Sequence, residues 1–217
     1  VEVIARLNPD LVIVERLSNS IRDQLASLKI RVVEVISGNL RANLDAILAI
    51  GRAAEADDQA RTLVASIEGE LKRLSERARS LPRRSVAFVV GRNPGQLDGL
   101  IVVGGGSYLT ELFQVAGGRN IFADSSQAYL KTSLESMLRR NPDVLIDMGE
   151  MSETTGVTDA QKRAVRELWG TRKILKAAQA GRVHAVASDI YVVPGPRMVD
   201  AAREFFALLH PEAAGRK

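Results

Sequence analysis

The side chains best suited to hold a ligand lie in polar loops that follow strand-like runs. Arg16 and Arg92 carry planar guanidinium groups, which can grip a carboxylate or another anionic oxygen with two parallel bonds. Asn93 adds an amide beside the second of them. Tyr129 and Tyr191 offer flat apolar faces with a hydroxyl at the tip, and Met151 offers a flexible, polarizable thioether. Such a set suits a bulky, flat or greasy ligand held by contact, with Arg16 and Arg92 available should the ligand be anionic.

Bond-making chemistry finds fewer candidates. His184 and His210 have no second ligand at metal-binding spacing, and the chain has no cysteine, so no metal site is expected. No G-x-S-x-G elbow accompanies either histidine. The paired carboxylates Asp57 and Asp58 stand where a helix begins. Gly104-Gly105-Gly106 opens a helix and raises a phosphate cradle, but Ser107-Tyr108 follows where a P-loop needs Lys and then Ser or Thr. The dinucleotide fingerprint fails on glycine spacing as well, which leaves a tight turn as the better reading. No catalytic set emerges, and the expectation is a binding protein with no cofactor rather than an enzyme.

The loops must be positioned by alternating strands and helices. Strand-like runs at Leu11–Val14, Val32–Ile36, Arg84–Val90, Val144–Met148 and Val183–Ala187 alternate with helical patterns, which predicts α/β architecture with a mostly parallel sheet in the second half. In open sheets of that kind ligands bind beyond the carboxyl ends of the strands. Thr132 with Glu135 reads as a capping box, Gly51 as interrupting or ending a helix that spans Leu40 to Ile50, and Pro196 as the first turn of the last helix.

One longer helix stands apart. Leu63, Val64, Ile67, Leu71, Leu74, Ala78 and Leu81 recur at steps of three and four, and Pro82 stops the pattern. The passages on either side resemble each other. Asn8-Pro9-Asp10-Leu11-Val12-Ile13-Val14 matches Asn141-Pro142-Asp143-Val144-Leu145-Ile146-Asp147, and each is followed later by an Arg-Val-x-x-Val strand, from Arg31 and from Arg182. Asn-Pro-Asp alone is a common helix-to-strand turn. Two copies in the same order favour two related α/β lobes, with residues 57–81 as a bridge between 1–56 and 82–217. The first lobe reads as incomplete: it has two clear strands, and the chain opens at Val1 inside a helix–turn–strand pattern, which predicts further sequence upstream.

The bulk properties are permissive. The length of 217 residues is ample for a packed core, and no apolar run is long enough to span a bilayer. The net charge of +4 invites a nucleic-acid partner, but the cations are scattered among acids and the aromatics are few and not interleaved with them. No nucleic-acid partner is expected.

Further segments carry a resemblance. Glu111-Leu112-Phe113-Gln114-Val115-Ala116-Gly117-Gly118-Arg119-Asn120-Ile121-Phe122, and Ala180-Gly181-Arg182-Val183-His184-Ala185-Val186 running on to Pro194-Gly195-Pro196-Arg197, join the two Asn-Pro-Asp passages in resembling the substrate-binding proteins of ABC importers. The resemblance is to the helical-backbone class, which carries cobalamin, ferric siderophores or haem. It implies two Rossmann-like lobes joined by one backbone helix, a metal chelate captured between them, and delivery to a membrane permease by a monomer. It implies a periplasmic or other extracytoplasmic location, where family members begin with a signal sequence or lipoprotein anchor. Tyr129 and Tyr191 fall where cobalamin-binding relatives have aromatics. Haem is disfavoured, because the first lobe as given has no Tyr or His to coordinate iron; corrinoid and ferric siderophore stay open. Docking in this class uses one acidic residue per lobe. Asn19–Arg22, where the first would fall, holds no acid, which leaves Glu15, Glu150 and Glu153 as candidates. The alternative from another class is a cytoplasmic nucleotide-binding α/β enzyme or sensor domain.

Overall fold

A computed structural model of the chain describes residues 1–15, 19–149 and 156–215, the side chains of 19 and 20 excepted. The chain divides into two compact units, Val1–Glu68 and Gly69–Lys217.

Unit 1 comprises α1 (Glu2–Leu7), β1 (Val12–Glu15), α2 (Asn19–Ser27), β2 (Val32–Val35), α3 (Leu40–Ala53) and the first half of α4 (Asp57–Ala78). Its sheet has two parallel strands, with Val12 opposite Val32. Asn8 ends α1 in the left-handed region, φ 45°, a conformation that Asn tolerates because its short side chain is polar and compact. Asn39 caps α3, its Oδ1 accepting the Ala42 amide at 2.8 Å. Gly51 does not end that helix, which runs on to Ala53. Its role is spacing: a Cβ placed there would lie 2.2 Å from the Ala60 Cβ, so α3 and α4 approach at a point that admits no side chain.

The long helix α4 is unbroken over 22 residues, about 33 Å at 1.5 Å per residue. It ends at Ala78, short of Leu81, and the division between the units falls inside it. Ala60, Val64, Ile67, Leu71, Leu74 and Ala78 form its buried stripe, whereas Leu63 is 37% exposed.

Unit 2 continues with β3 (Arg84–Gly91), β4 (Ile101–Val103), α5 (Tyr108–Val115), β5 (Gly118–Asn120), β6 (Tyr129–Lys131), α6 (Leu134–Arg140), β7 (Val144–Asp147), α7 (Asp159–Gly170), α8 (Lys176–Gln179), β8 (Val183–Ala185), a 3-10 turn (Asp189–Tyr191), α9 (Met198–Leu209) and α10 (Pro211–Ala214). The strand order is β6-β4-β3-β7-β8, with β5 also on β3. Strands β5, β7 and β8 run parallel to their partners, while β4 and β6 are antiparallel, so the sheet is mixed. The core lies on both faces. Ala87 and Val89 of β3 join Leu145, Trp169, Leu175 and Val183 in one cluster. Phe88 points into another, where Phe205 meets Phe113 at 4.4 Å and stacks on Tyr191 at 5.4 Å between centroids.

Two cap assignments shift. Helix α6 starts from Ser133, whose side chain accepts the Ser136 amide, so Thr132 is not the cap. Helix α9 begins at Met198 after Arg197, which leaves Pro196 outside it. The capping box belongs instead to α7, between Thr158 and Gln161.

Candidate functional site

The strand ends of unit 2 hold a pocket of about 500 Å³, within the range of small-ligand sites. Its floor is the end of β7 and the chain just past β3 and β7: Asp147, then Arg92, Met148 and Gly149. One side is α7, which presents Gln161, Ala164, Val165 and Leu168 at steps of three, one and three, a single face of a helix. The other is Ala185–Ala187, where β8 runs out. Alanines there keep the side chains short and leave volume for a guest.

The chemistry of the floor centres on Asp147, which is fully buried. Its Oδ2 accepts from Arg92 Nε at 2.9 Å and from Trp169 Nε1 at 2.6 Å, and its Oδ1 accepts from the Gly149 amide at 2.6 Å. A cation and two further donors thus stand where water would otherwise hydrate this side chain. The Arg92 side chain is itself only 7% exposed. Its amide donates to the Gly149 carbonyl at 3.2 Å, which ties the ends of β3 and β7 together. Gly149 can close this turn because its φ is +67°. Arg92 Nη1 reaches the Asn93 carbonyl at 3.3 Å, and Nη2 lies beside Gly149. The pocket therefore has mostly apolar sides, with Gln161, Glu167 and Thr171 as their polar members, over a floor where Arg92 pairs with Asp147.

The structure brings only part of the expected set together. Arg92 lines the pocket and Asn93 follows it, exposed, with its side chain tucked against Gly99. Tyr129 lies elsewhere, on edge strand β6 opposite Val103, 41% exposed. Tyr191 is in the aromatic core at 3% exposure, with Phe88 5.6 Å from it, and burial pushes its phenol pKa up. Glu15 is exposed and accepts a hydrogen bond from the Ser37 hydroxyl. Arg16, Glu150, Met151 and Glu153 lie outside the described residues.

Asp147 and Trp169 carry the site's geometry and were not in the expected set. One signal was legible: a carboxylate that closes an otherwise apolar strand, Val144-Leu145-Ile146-Asp147. No comparable signal marks Trp169, which reads as one more apolar position of an amphipathic helix.

The glycine loop is a turn. The Gly104, Gly105 and Gly106 amides donate to the carbonyls of Ala128, Ser125 and Gln127 at 2.9, 2.8 and 3.1 Å. A Cβ at any of the three would come within 2.3 Å of a backbone oxygen of this same segment. Amides already committed to carbonyls have nothing left for a phosphate. His184 is partly buried on β8, and burial together with Arg166 lowers its pKa. No group of three or more His, Asp or Glu side chains suited to a metal ion occurs among the described residues.

A family described as periplasmic binding protein matches residues 1–189. The chain belongs to that family. It is 26% identical over 98% of its length to an uncharacterized ABC transporter substrate-binding lipoprotein of Bacillus subtilis, and spans 65% of that relative. It is 27% identical over 94% of its length to the vitamin B12-binding protein of Salmonella typhimurium, and spans 70% of it. Among solved structures, an Fe3+-hydroxamate transport protein of Saccharomonospora viridis matches with a TM-score of 0.73 at 25% identity, over 96% of this chain and 71% of that one. The vitamin B12-binding protein of Vibrio cholerae matches with a TM-score of 0.70 at 23% identity, over all of this chain and 79% of that one. In this family member the pocket described above lies within unit 2, at the strand ends where α/β sheets bind ligands.

Proposed function

We propose that the chain belongs to the substrate-binding component of an ABC importer working outside the cytoplasm, and that its cargo is a metal chelate, a corrinoid or a ferric siderophore. The pocket beyond β3, β7 and β8 would receive one edge of that chelate. The observation that carries this reading is the floor of the pocket: the Asp147 carboxylate is turned inward and engaged by Arg92, Trp169 and Gly149, so the surface it supports is suited to holding rather than to reaction. The apolar face of α7 favours van der Waals contact with a ring or chelate rim. Arg92 Nη2 and the Asn93 amide favour carbonyl, amide or carboxylate oxygens at its periphery. The relatives named for vitamin B12 and for Fe3+-hydroxamate support the same class of cargo. Tyr129 is the proposed exposed aromatic contact, and Glu15 the described candidate for docking to a permease. No helix among the described residues is long and apolar enough to cross a membrane.

The chain has a built-in reporter. Trp169 is its one tryptophan and is bonded to the pocket floor. Cyanocobalamin and ferric hydroxamates absorb where tryptophan emits, so a seated chelate should quench Trp169 by more than half and saturably. Titration of the full-length protein with each chelate, and with ATP as the competing class, checks this. Quenching by ATP and by neither chelate would reject the carrier reading.

A further inference from the structure

At the opposite ends of the same strands the surface has a different character. Asn141–Asp143 precede β7 and Arg182 precedes β8. The connection from α7 to α8, residues 171–175, crosses here. Its two apolar residues part company. Leu175 is fully buried, whereas Ile174 is 65% exposed, more than any other large apolar side chain described in unit 2.

That exposure is built into the backbone. Asn141 Nδ2 donates to the Ile174 carbonyl at 3.3 Å, and Asn141 Oδ1 accepts the Lys176 amide at 2.8 Å. The Leu175 amide donates to the Arg172 carbonyl at 2.9 Å, and Gln179 Nε2 to the Lys173 carbonyl at 2.5 Å. With Leu175 anchored in the core and both flanking peptides bonded, Ile174 cannot fold inward.

Cations surround this tip. Arg139, Arg172, Lys173 and Lys176 are exposed, and Arg182 is partly so. None of the five has a salt-bridge partner among the described residues; the ion pairs of unit 2 fall elsewhere, such as Arg140 with Asp124 and Arg197 with Asp189. Two acids feel these cations: Asp143, near Lys176 and Arg182, is engaged by the Ser85 hydroxyl at 2.6 Å and the Ser85 amide at 2.9 Å, and Glu212, which feels Arg182, pairs with Arg84 at 2.9 Å.

We propose that this face, with Ile174 at its tip and Arg139, Arg172, Lys173, Lys176 and Arg182 around it, seats on an anionic lipid surface. Charge complementarity selects the partner class. Five cations around one apolar residue do not converge on a small anion, as a phosphate site would require. A protein partner of ordinary size would ask for a wider apolar centre. A planar layer of negative headgroups satisfies dispersed cations together and lets one side chain dip past them. Thr171, which opens the connection, also lines the pocket, whereas Ile174 and the five cations are not among its lining residues, so seating need not occupy the place of the cargo.

Co-sedimentation of the full-length protein, without any lipid anchor, tests this against vesicles of phosphatidylcholine alone and of phosphatidylcholine with phosphatidylglycerol. Binding should require phosphatidylglycerol and fall steeply as salt rises. Neutralising one cation should weaken it roughly fivefold, so the reversal Lys173→Glu with Lys176→Glu should weaken it by more than twentyfold. Ile174→Ser should cost a few-fold. These side chains are exposed, and unchanged Trp169 emission reports that the fold is intact. Reversing two cations outside the face, Arg79→Glu with Lys131→Glu, should cost far less. No binding to phosphatidylglycerol vesicles at low salt would overturn the proposal. So would an equal loss in the two double variants, or retention by polyglutamate without vesicle binding.

Discussion

The two Asn-Pro-Asp passages are the same local structure in different surroundings. Asn8 and Asn141 both end a short helix in the left-handed region, each at φ 45°, and each amide closes back onto its helix. Four residues on, the Val12 amide donates to the Arg31 carbonyl at 2.9 Å, and the Leu145 amide to the Arg182 carbonyl at 3.0 Å. The parallel pairing that follows has the same register, Val12 with Val32 and Leu145 with Val183. Beyond the backbone the likeness ends. Ile13 is 45% exposed, while Ile146, its counterpart, is fully buried. Strand β1 has one neighbour and β7 has two, β3 and β8. Asn141 also clamps the α7–α8 connection with its side chain, and Asp143 clamps Ser85; no such bond is described for Asn8 or Asp10. Turn chemistry repeats because it is local, and burial differs because neighbours supply it.

The largest break in this comparison should come at the position where the copies differ in kind, Val14 against Asp147. Asp147→Val makes the second copy read like the first, but strands the Arg92 guanidinium and the Trp169 and Gly149 donors in a buried place. A loss of about 3–5 kcal/mol is expected in urea unfolding followed by Trp169 emission. Adding Arg92→Met should return part of it. A double variant no more stable than Asp147→Val alone would show that the buried charge was not the cause.

Next in size is the isoleucine pair. Ile146→Ala should cost about 2–5 kcal/mol, because it opens a cavity in a closed core, and Ile13→Ala less than about 1 kcal/mol. Equal losses would mean that the first copy is packed as tightly as the second.

The smallest effect concerns acid. Burial alone would raise the Asp143 carboxyl, but the Ser85 hydroxyl and amide and the charges of Lys176 and Arg182 outweigh it and hold the pKa below the ordinary 3.8. A depressed folded-state pKa stabilises fully above the unfolded value and loses that contribution as pH falls through the folded one. Stability should therefore decline from about pH 4 downward, and Asp143→Asn should flatten this decline in acid-unfolding curves. An unaltered curve would remove Asp143 from the acid response.

Much of the fold was legible because its cues act over a few residues. Asn before Pro-Asp ends a helix, Ser107 caps α5, and the three-and-four spacing from Val64 to Ala78 writes α4. Where a cue depends on what approaches from afar, the reading slipped. Gly51 looks like a stop in one dimension; in three it is the gap that Ala60 requires. Tyr191 looks like a loop aromatic until Phe88 and Phe205 close over it.

The sequence by itself determined the α/β alternation and the duplicated turn, since backbone torsions and hydrogen bonds between near residues decide these. Only the tertiary structure decided that Arg92 meets Asp147 across 55 residues, that Trp169 joins them from 22 residues further along, and that Ile174 stands out while Leu175 sinks in. Charge pairing and burial belong to residues that meet only after the sheet has formed, and one-dimensional spacing carries no term for that meeting.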